Sequence, residues 1–118
     1  MNQTFVAAFN SGQIDNLLML YEPDAVLVCL DGSLVRGTDQ IRDELSKLLS
    51  MGIRAEGHKQ FAITYGNIAL LRANFTITLL GEDGQETFIS GSSSEVVSQQ
   101  PDGSWLYIID HPFGANSN

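Results

Sequence analysis

Trp105-Leu106-Tyr107-Ile108-Ile109-Asp110-His111-Pro112-Phe113-Gly114 closes the last hairpin of this chain, and its reading decides the fold. A second strand-forming run, Glu86 to Gln99, precedes it across the turn Pro101-Asp102-Gly103-Ser104. Successive side chains leave opposite faces of a strand, and both parities here carry large apolar groups, so a hairpin this long needs a partner surface. Plain alternation places Trp105, Tyr107, Ile109, His111 and Phe113 on one side. Apolar bodies with a few polar tips are the composition of a small-molecule cavity wall.

Upstream, the pattern extends the same sheet. Phe61, Ile63 and Tyr65 alternate with Gln60, Ala62 and Thr64, and Gly66-Asn67 turns the chain into Ile68 to Leu80. There Arg72, Asn74, Thr76 and Thr78 share one face and Ala73, Phe75, Ile77 and Leu79 the other. Gly81-Glu82-Asp83-Gly84 is the next turn. The first half reads differently. Phe5, Ala8 and Phe9 recur at helical spacing, and after a Ser11 cap Ile14, Leu17, Leu18 and Tyr21 form the stripe of a second helix ending at Glu22-Pro23-Asp24. Ala25 to Leu30 and Leu34 to Arg36 are two short strands around the turn Asp31-Gly32-Ser33. Thr38 caps a third helix with the stripe Ile41, Leu45, Leu48 and Leu49, closed by Gly52.

Three helices segregated from an antiparallel meander define an α+β domain. Long twisted strands curl, so the expected form is a cone-shaped curved sheet with the three helices of the N-terminal half on its concave face. One domain spans residues 1–118. The apolar convex face is expected to be covered by a homodimer through the sheet.

Composition narrows the function. Fourteen acidic and six scattered basic residues give a net charge of −8, which disfavours nucleic acid as a partner. No run approaches membrane-spanning length, and Met1-Asn2-Gln3-Thr4 has no basic start of a secretory signal, so a cytoplasmic protein without membrane partners is expected. Cys29, the single cysteine, sits among Val26, Leu27, Val28 and Leu30 and reads as a small buried hydrophobe. His58 and His111 stand apart from any ligand cluster, so neither a metal nor another cofactor is expected.

Several segments, in this order, carry a family resemblance. Phe5-Val6-Ala7-Ala8-Phe9-Asn10-Ser11-Gly12-Gln13-Ile14-Asp15, Tyr21-Glu22-Pro23-Asp24-Ala25, Gly37-Thr38-Asp39-Gln40-Ile41, Gly103-Ser104-Trp105 and Asp110-His111-Pro112 together resemble the nuclear transport factor 2-like superfamily. The likeness is nearest to its small ketosteroid isomerase-like, or SnoaL-like, proteins and to the association domain of calmodulin-dependent kinase. The resemblance implies a cystatin-like cone, a dimer and a ligand cavity, but no single activity, because the fold hosts isomerases, cyclases, dehydratases and non-enzymatic modules. By the same resemblance the isomerase's catalytic constellation is absent: its tyrosine falls at Phe5, its base at or beside Cys29 and its neutral acid near Ser94.

Candidate site residues follow from both readings. His111 is the candidate general base, or a donor orienting a carbonyl or carboxylate; the alternative is a strand-end histidine bonded to backbone. Asp110 is its catalytic partner, although neighbours on a strand enter one cavity together only across a bulge. Arg72 is an anion clamp with Asn74 and Ser94, or an ion pair with Glu95. Trp105, Tyr107, Cys29 and Tyr21 complete the expected lining. Two functions fit: a binding protein for a small, mostly apolar or carboxylate-bearing ligand, or a cofactor-independent isomerase, cyclase or dehydratase. A titratable group deep in the cavity, with its pKa displaced, distinguishes the second.

Overall fold

The computed structural model describes residues 2–29, 31–50, 54–81 and 83–114. Among the described residues three helices and seven strands follow in the order α1 (Asn2–Asn10), α2 (Ile14–Leu18), β1 (Tyr21–Val28), β2 (Leu34–Arg36), α3 (Thr38–Ser50), β3 (Arg54–Tyr65), β4 (Ile68–Leu80), β5 (Glu86–Ser92), β6 (Ser94–Gln99) and β7 (Trp105–His111). One sheet holds all seven, in the order β2-β1-β7-β6-β4-β3, with β5 on β4 beyond the end of β6.

The second helix is shorter than its apolar stripe suggests. It ends at Leu18, and Tyr21 opens β1, because Tyr107 of β7 donates its N–H to the Leu20 carbonyl at 2.7 Å and draws the chain into the sheet. β1 runs parallel to β7, pairing Tyr21 with Tyr107 and Leu27 with Asp110, with a register shift between Tyr21 and Val26. The sheet is therefore mixed, though mostly antiparallel. Helix α3 begins with Thr38 itself; Gly37 precedes it at φ +85°, a backbone region that glycine enters without steric cost. Gly52, expected to close that helix, lies outside the described residues.

The expected strand Glu86 to Gln99 is divided at Ser93 without losing register: Asn74 pairs with Ser92 on one side of the break, and Leu71 with Glu95 on the other. At the break Ser93 donates its N–H to the Ala73 carbonyl, and its hydroxyl oxygen, in place of its own carbonyl, accepts the Ala73 N–H at 3.1 Å.

The helices close the concave side. Ile41 and Leu45 of α3, Leu17 of α2 and Phe9 of α1 are buried in one core with Tyr21, Leu27, Leu71, Val97 and Tyr107 from the sheet. Asn10, at the end of α1, ties it to β3 by a reciprocal pair of 2.8 Å hydrogen bonds with the Ala55 backbone.

Candidate functional site

Cross-strand partners share a face of a sheet, so the pairing register sorts the strand residues. Ala62, Leu71, Glu95, Asp110 and Leu27 are successive partners across β3, β4, β6, β7 and β1. Leu71 and Leu27 are buried in the core, so this row is concave. The adjacent row, Ile63, Leu70, Val96, Ile109 and Val26, is convex.

The register of β7 decides which polar group faces inward. Tyr107 pairs with Val97 and Ile109 with Val96, so Ile108 is an extra residue opposite a single step of β6. A bulge of this kind reverses the facing of everything after it. Trp105 and Tyr107 stay on the concave side, but Asp110 turns inward in place of His111. Asp110 is 3% exposed; His111 pairs with Ser94 on the convex side, its ring lying over Gly114.

Between sheet and helices lies a cavity of about 120 Å³. Phe5, Phe9, Phe75 and Phe113 supply aromatic wall, and Leu27, Leu45 and Ile77 supply aliphatic wall. Its polar groups are few: Cys29, Glu44 and Ser93, with the carboxyls of Glu95 and Asp110.

These two carboxyls are cross-strand partners and both are buried, Glu95 at 7% exposure. Tyr21 donates its hydroxyl to Asp110 Oδ2 at 2.5 Å, and Ser93 donates its hydroxyl to Glu95 Oε1 at 2.7 Å. Burial, then the charge of Glu95, pushes Asp110 up to about 7, against the pull of the Tyr21 hydrogen bond. Burial also raises Glu95, opposed by the Ser93 hydroxyl and the Tyr107 phenol. Tyr21 is held well above the ordinary tyrosine range by burial and by the Asp110 charge. Burial likewise raises the Cys29 thiol, which suits its place as an inert part of the wall.

The other expected site residues are distributed by the same parity. Tyr107 and Tyr21 do not line the cavity: they are buried in the core behind it, their ring centroids 5.2 Å apart, with Phe5 edge-on to Tyr107 at 5.8 Å. Trp105 packs on the core beyond the cavity. Cys29 lines the cavity. Arg72 and Asn74 do not, because Leu71 and Ala73, which alternate with them, take the inward positions. Ser94 is convex with His111. Arg72 therefore stands on the opposite face from Glu95 and forms no ion pair with it. Its Nε is buried without a hydrogen-bond partner. An anion clamp inside the cone is thus not what the fold builds: among the described residues the cavity lining contains acids and no lysine or arginine. Glu95 is the residue that alternation underweighted. Its signal is a carboxylate that shares the parity of Val97, two positions before it on β6.

A family model for the SnoaL-like domain matches residues 2–103. The chain belongs to the SnoaL-like domain family. Within the nuclear transport factor 2-like superfamily, solved structures agree over nearly the whole chain. A superfamily protein from Salmonella enterica subsp. enterica serovar Typhimurium str. LT2 is 18% identical, with TM-score 0.80, covering 98% of this chain and 87% of the other. A ketosteroid isomerase-like protein from Erwinia carotovora atroseptica is 17% identical, with TM-score 0.81 and coverage of 92% and 86%. A cystatin-like domain of unknown function from Nostoc punctiforme is 18% identical, with TM-score 0.76 and coverage of 94% and 72%. At these identities the likeness is one of fold. No curated protein matches the chain. Among the described residues no helix is long and apolar enough to cross a membrane.

Proposed function

We propose that this SnoaL-like protein binds a small, mostly apolar molecule in the cone, oriented by a single polar group placed against Asp110 and Glu95. The observation that carries this reading is an aromatic-walled cavity whose polarity is concentrated at two adjacent buried carboxyls. Apolar walls supply affinity, and a few fixed polar groups supply orientation. A ligand-observed NMR screen of small aromatic and alicyclic compounds tests it. Hits are expected with the wild-type protein and are expected to be lost when Ala73→Leu or Val28→Phe fills the cavity in a folded variant. No hits, or hits indifferent to both substitutions, would overturn the reading.

One observation favours a second reading, acid/base conversion of the bound molecule as an isomerase, cyclase or dehydratase. Burial and the charge of Glu95 push Asp110 up to about 7 beside a mostly apolar cavity, the property a general base or acid needs. In this reading Asp110 takes the role that alternation assigned to His111. Exchange of the α-protons of cyclohexanone in D₂O, accelerated by wild type and not by Asp110→Asn, would support it; equal rates would exclude Asp110 as the base.

A homodimer through the sheet is part of the same proposal. Ile63, Leu70 and Ile109 stand exposed in one row of the convex face, and Tyr65 is 87% exposed beside them. A second copy of this face would cover that apolar surface.

A further inference from the structure

We infer that the ligand of this cavity is an organic cation, a small apolar amine whose ammonium sits against Asp110 and Glu95 and whose hydrocarbon body fills the aromatic end of the cone. The inference rests on the proposal that the cavity is a ligand site and specifies what that ligand carries.

Charge is the first argument. Two carboxyls, each more than nine-tenths buried, lie side by side on neighbouring strands, and no lysine or arginine among the described residues lines the space with them. Buried acids ordinarily gain a cationic partner or give up their charge. Here their hydrogen-bond partners are neutral hydroxyls, Tyr21 on Asp110 and Ser93 and Tyr107 on Glu95; the N-terminal ammonium adds an attractive charge at Glu95, and among the described residues Asp110 has no such cationic partner. The hydroxyls hold the carboxyls in place without neutralising them.

Geometry is the second. Asp110 accepts the Tyr21 hydroxyl on Oδ2 and, with Glu95, presents its buried carboxyl to the cavity. An ammonium has three donors and no acceptor, so it complements groups that only accept. A neutral alcohol would supply one donor and leave its own oxygen facing two acids. A carboxylate ligand would meet like charge. The walls add a third argument: Phe5, Phe9, Phe75 and Phe113 surround the space, and aromatic faces attract cations as well as hydrocarbon.

Proton linkage follows. The titratable groups acting at this end are the N-terminal amine, which lowers Glu95, Tyr21 and Cys29 from β1 and its following turn, Glu44 from α3, Glu95 from β6, and Tyr107 and Asp110 of β7. An ammonium entering a carboxyl pair that still holds a proton displaces that proton. Amine affinity therefore rises with pH through about 7, the range in which Asp110 ionises, while the amine itself stays charged.

Benzylamine and benzyl alcohol, nearly equal in shape and different in charge, test the inference by calorimetry at pH 6 and pH 8. Benzylamine is expected to bind at least tenfold tighter than the alcohol at pH 8 and severalfold tighter at pH 8 than at pH 6. Asp110→Asn, and independently Glu95→Gln, are expected to remove at least tenfold of the amine affinity and a smaller factor of the alcohol affinity. Alcohol binding as tightly as amine, or amine affinity unchanged in both folded variants, would overturn the cation assignment and leave the ligand cavity standing. Failure of both probes to bind at millimolar concentration would overturn both.

Discussion

Tyr21 and Asp110, separated by 89 positions in the chain, meet in a buried 2.5 Å hydrogen bond between the core and the cavity wall. The bond joins the first residue of β1 to the next-to-last residue of β7, strands that pair in parallel. It places a neutral donor on one carboxylate oxygen and leaves the carboxyl lining the cavity.

Removing that donor is expected to move the carboxyl further from its ordinary range. Tyr21→Phe preserves the ring packing on Tyr107 and deletes the hydroxyl that lowers the Asp110 pKa. The Asp110 midpoint, followed by carbon-detected NMR, is expected to rise above about 7. Stability at pH 8 is expected to fall by about 1–3 kcal/mol, the cost of leaving a buried charged acceptor unsatisfied. An unchanged midpoint would show that the hydrogen bond does not tune the acid.

Stability should fall as pH rises from 4 to 8. Asp110 titrates at about 7 in the fold against an ordinary value of 3.8, and Glu95 is raised in the same direction. The folded state therefore holds protons that the unfolded chain has released across this window, so raising pH favours unfolding. Urea denaturation is expected to give a lower midpoint at pH 8 than at pH 5. Asp110→Asn should flatten that slope and equal or exceed wild type at pH 8. A midpoint that climbs between pH 5 and pH 8 would contradict the assignment.

Gly91 is confined by aromatic rings. A Cβ there would come within 2.6 Å of the Phe75 ring and 2.7 Å of the Phe113 ring, which pack edge to face with centroids 5.2 Å apart. Gly91→Ala is expected to cost about 1–3 kcal/mol as an overpacking change and to displace Phe113 from the cavity wall. Chemical unfolding measures the first effect, and the chemical shifts of the Phe113 ring measure the second.

The convex face gives an assembly prediction. Ile63 is 60% exposed within one chain, so Ile63→Lys should alter a monomer's stability by no more than about 0.5 kcal/mol. If a second copy covers this face, the substitution buries a charge in the contact and sedimentation should report dissociation to monomers at micromolar concentration. Wild-type protein sedimenting as a monomer would remove the proposed dimer.

Much of the fold was legible in the residues. The β3–β4 hairpin around Gly66-Asn67, the stripe of α3 and the final hairpin all follow from period and turn chemistry, which act over a few neighbouring positions. The continuous register from Glu86 to Gln99 was also readable, since the Ser93 break costs no residue. Tyr21 was misassigned because one residue at helical spacing after Leu17 and Leu18 fits a helix and a strand equally well. Only a hydrogen bond from β7, remote in sequence, settles it.

By itself the sequence determined the elements, their order and the family, because local spacing and turn residues are properties of neighbours. Tertiary structure alone decided which side chains enter the cone. One extra residue at Ile108 exchanges His111 for Asp110, and the inward parity of β4 keeps Arg72 outside while β6 brings Glu95 in. The physical reason is that strand facing has a period of two, so a single unpaired residue inverts it, and a bulge is a property of two strands together that neither strand carries in its own sequence.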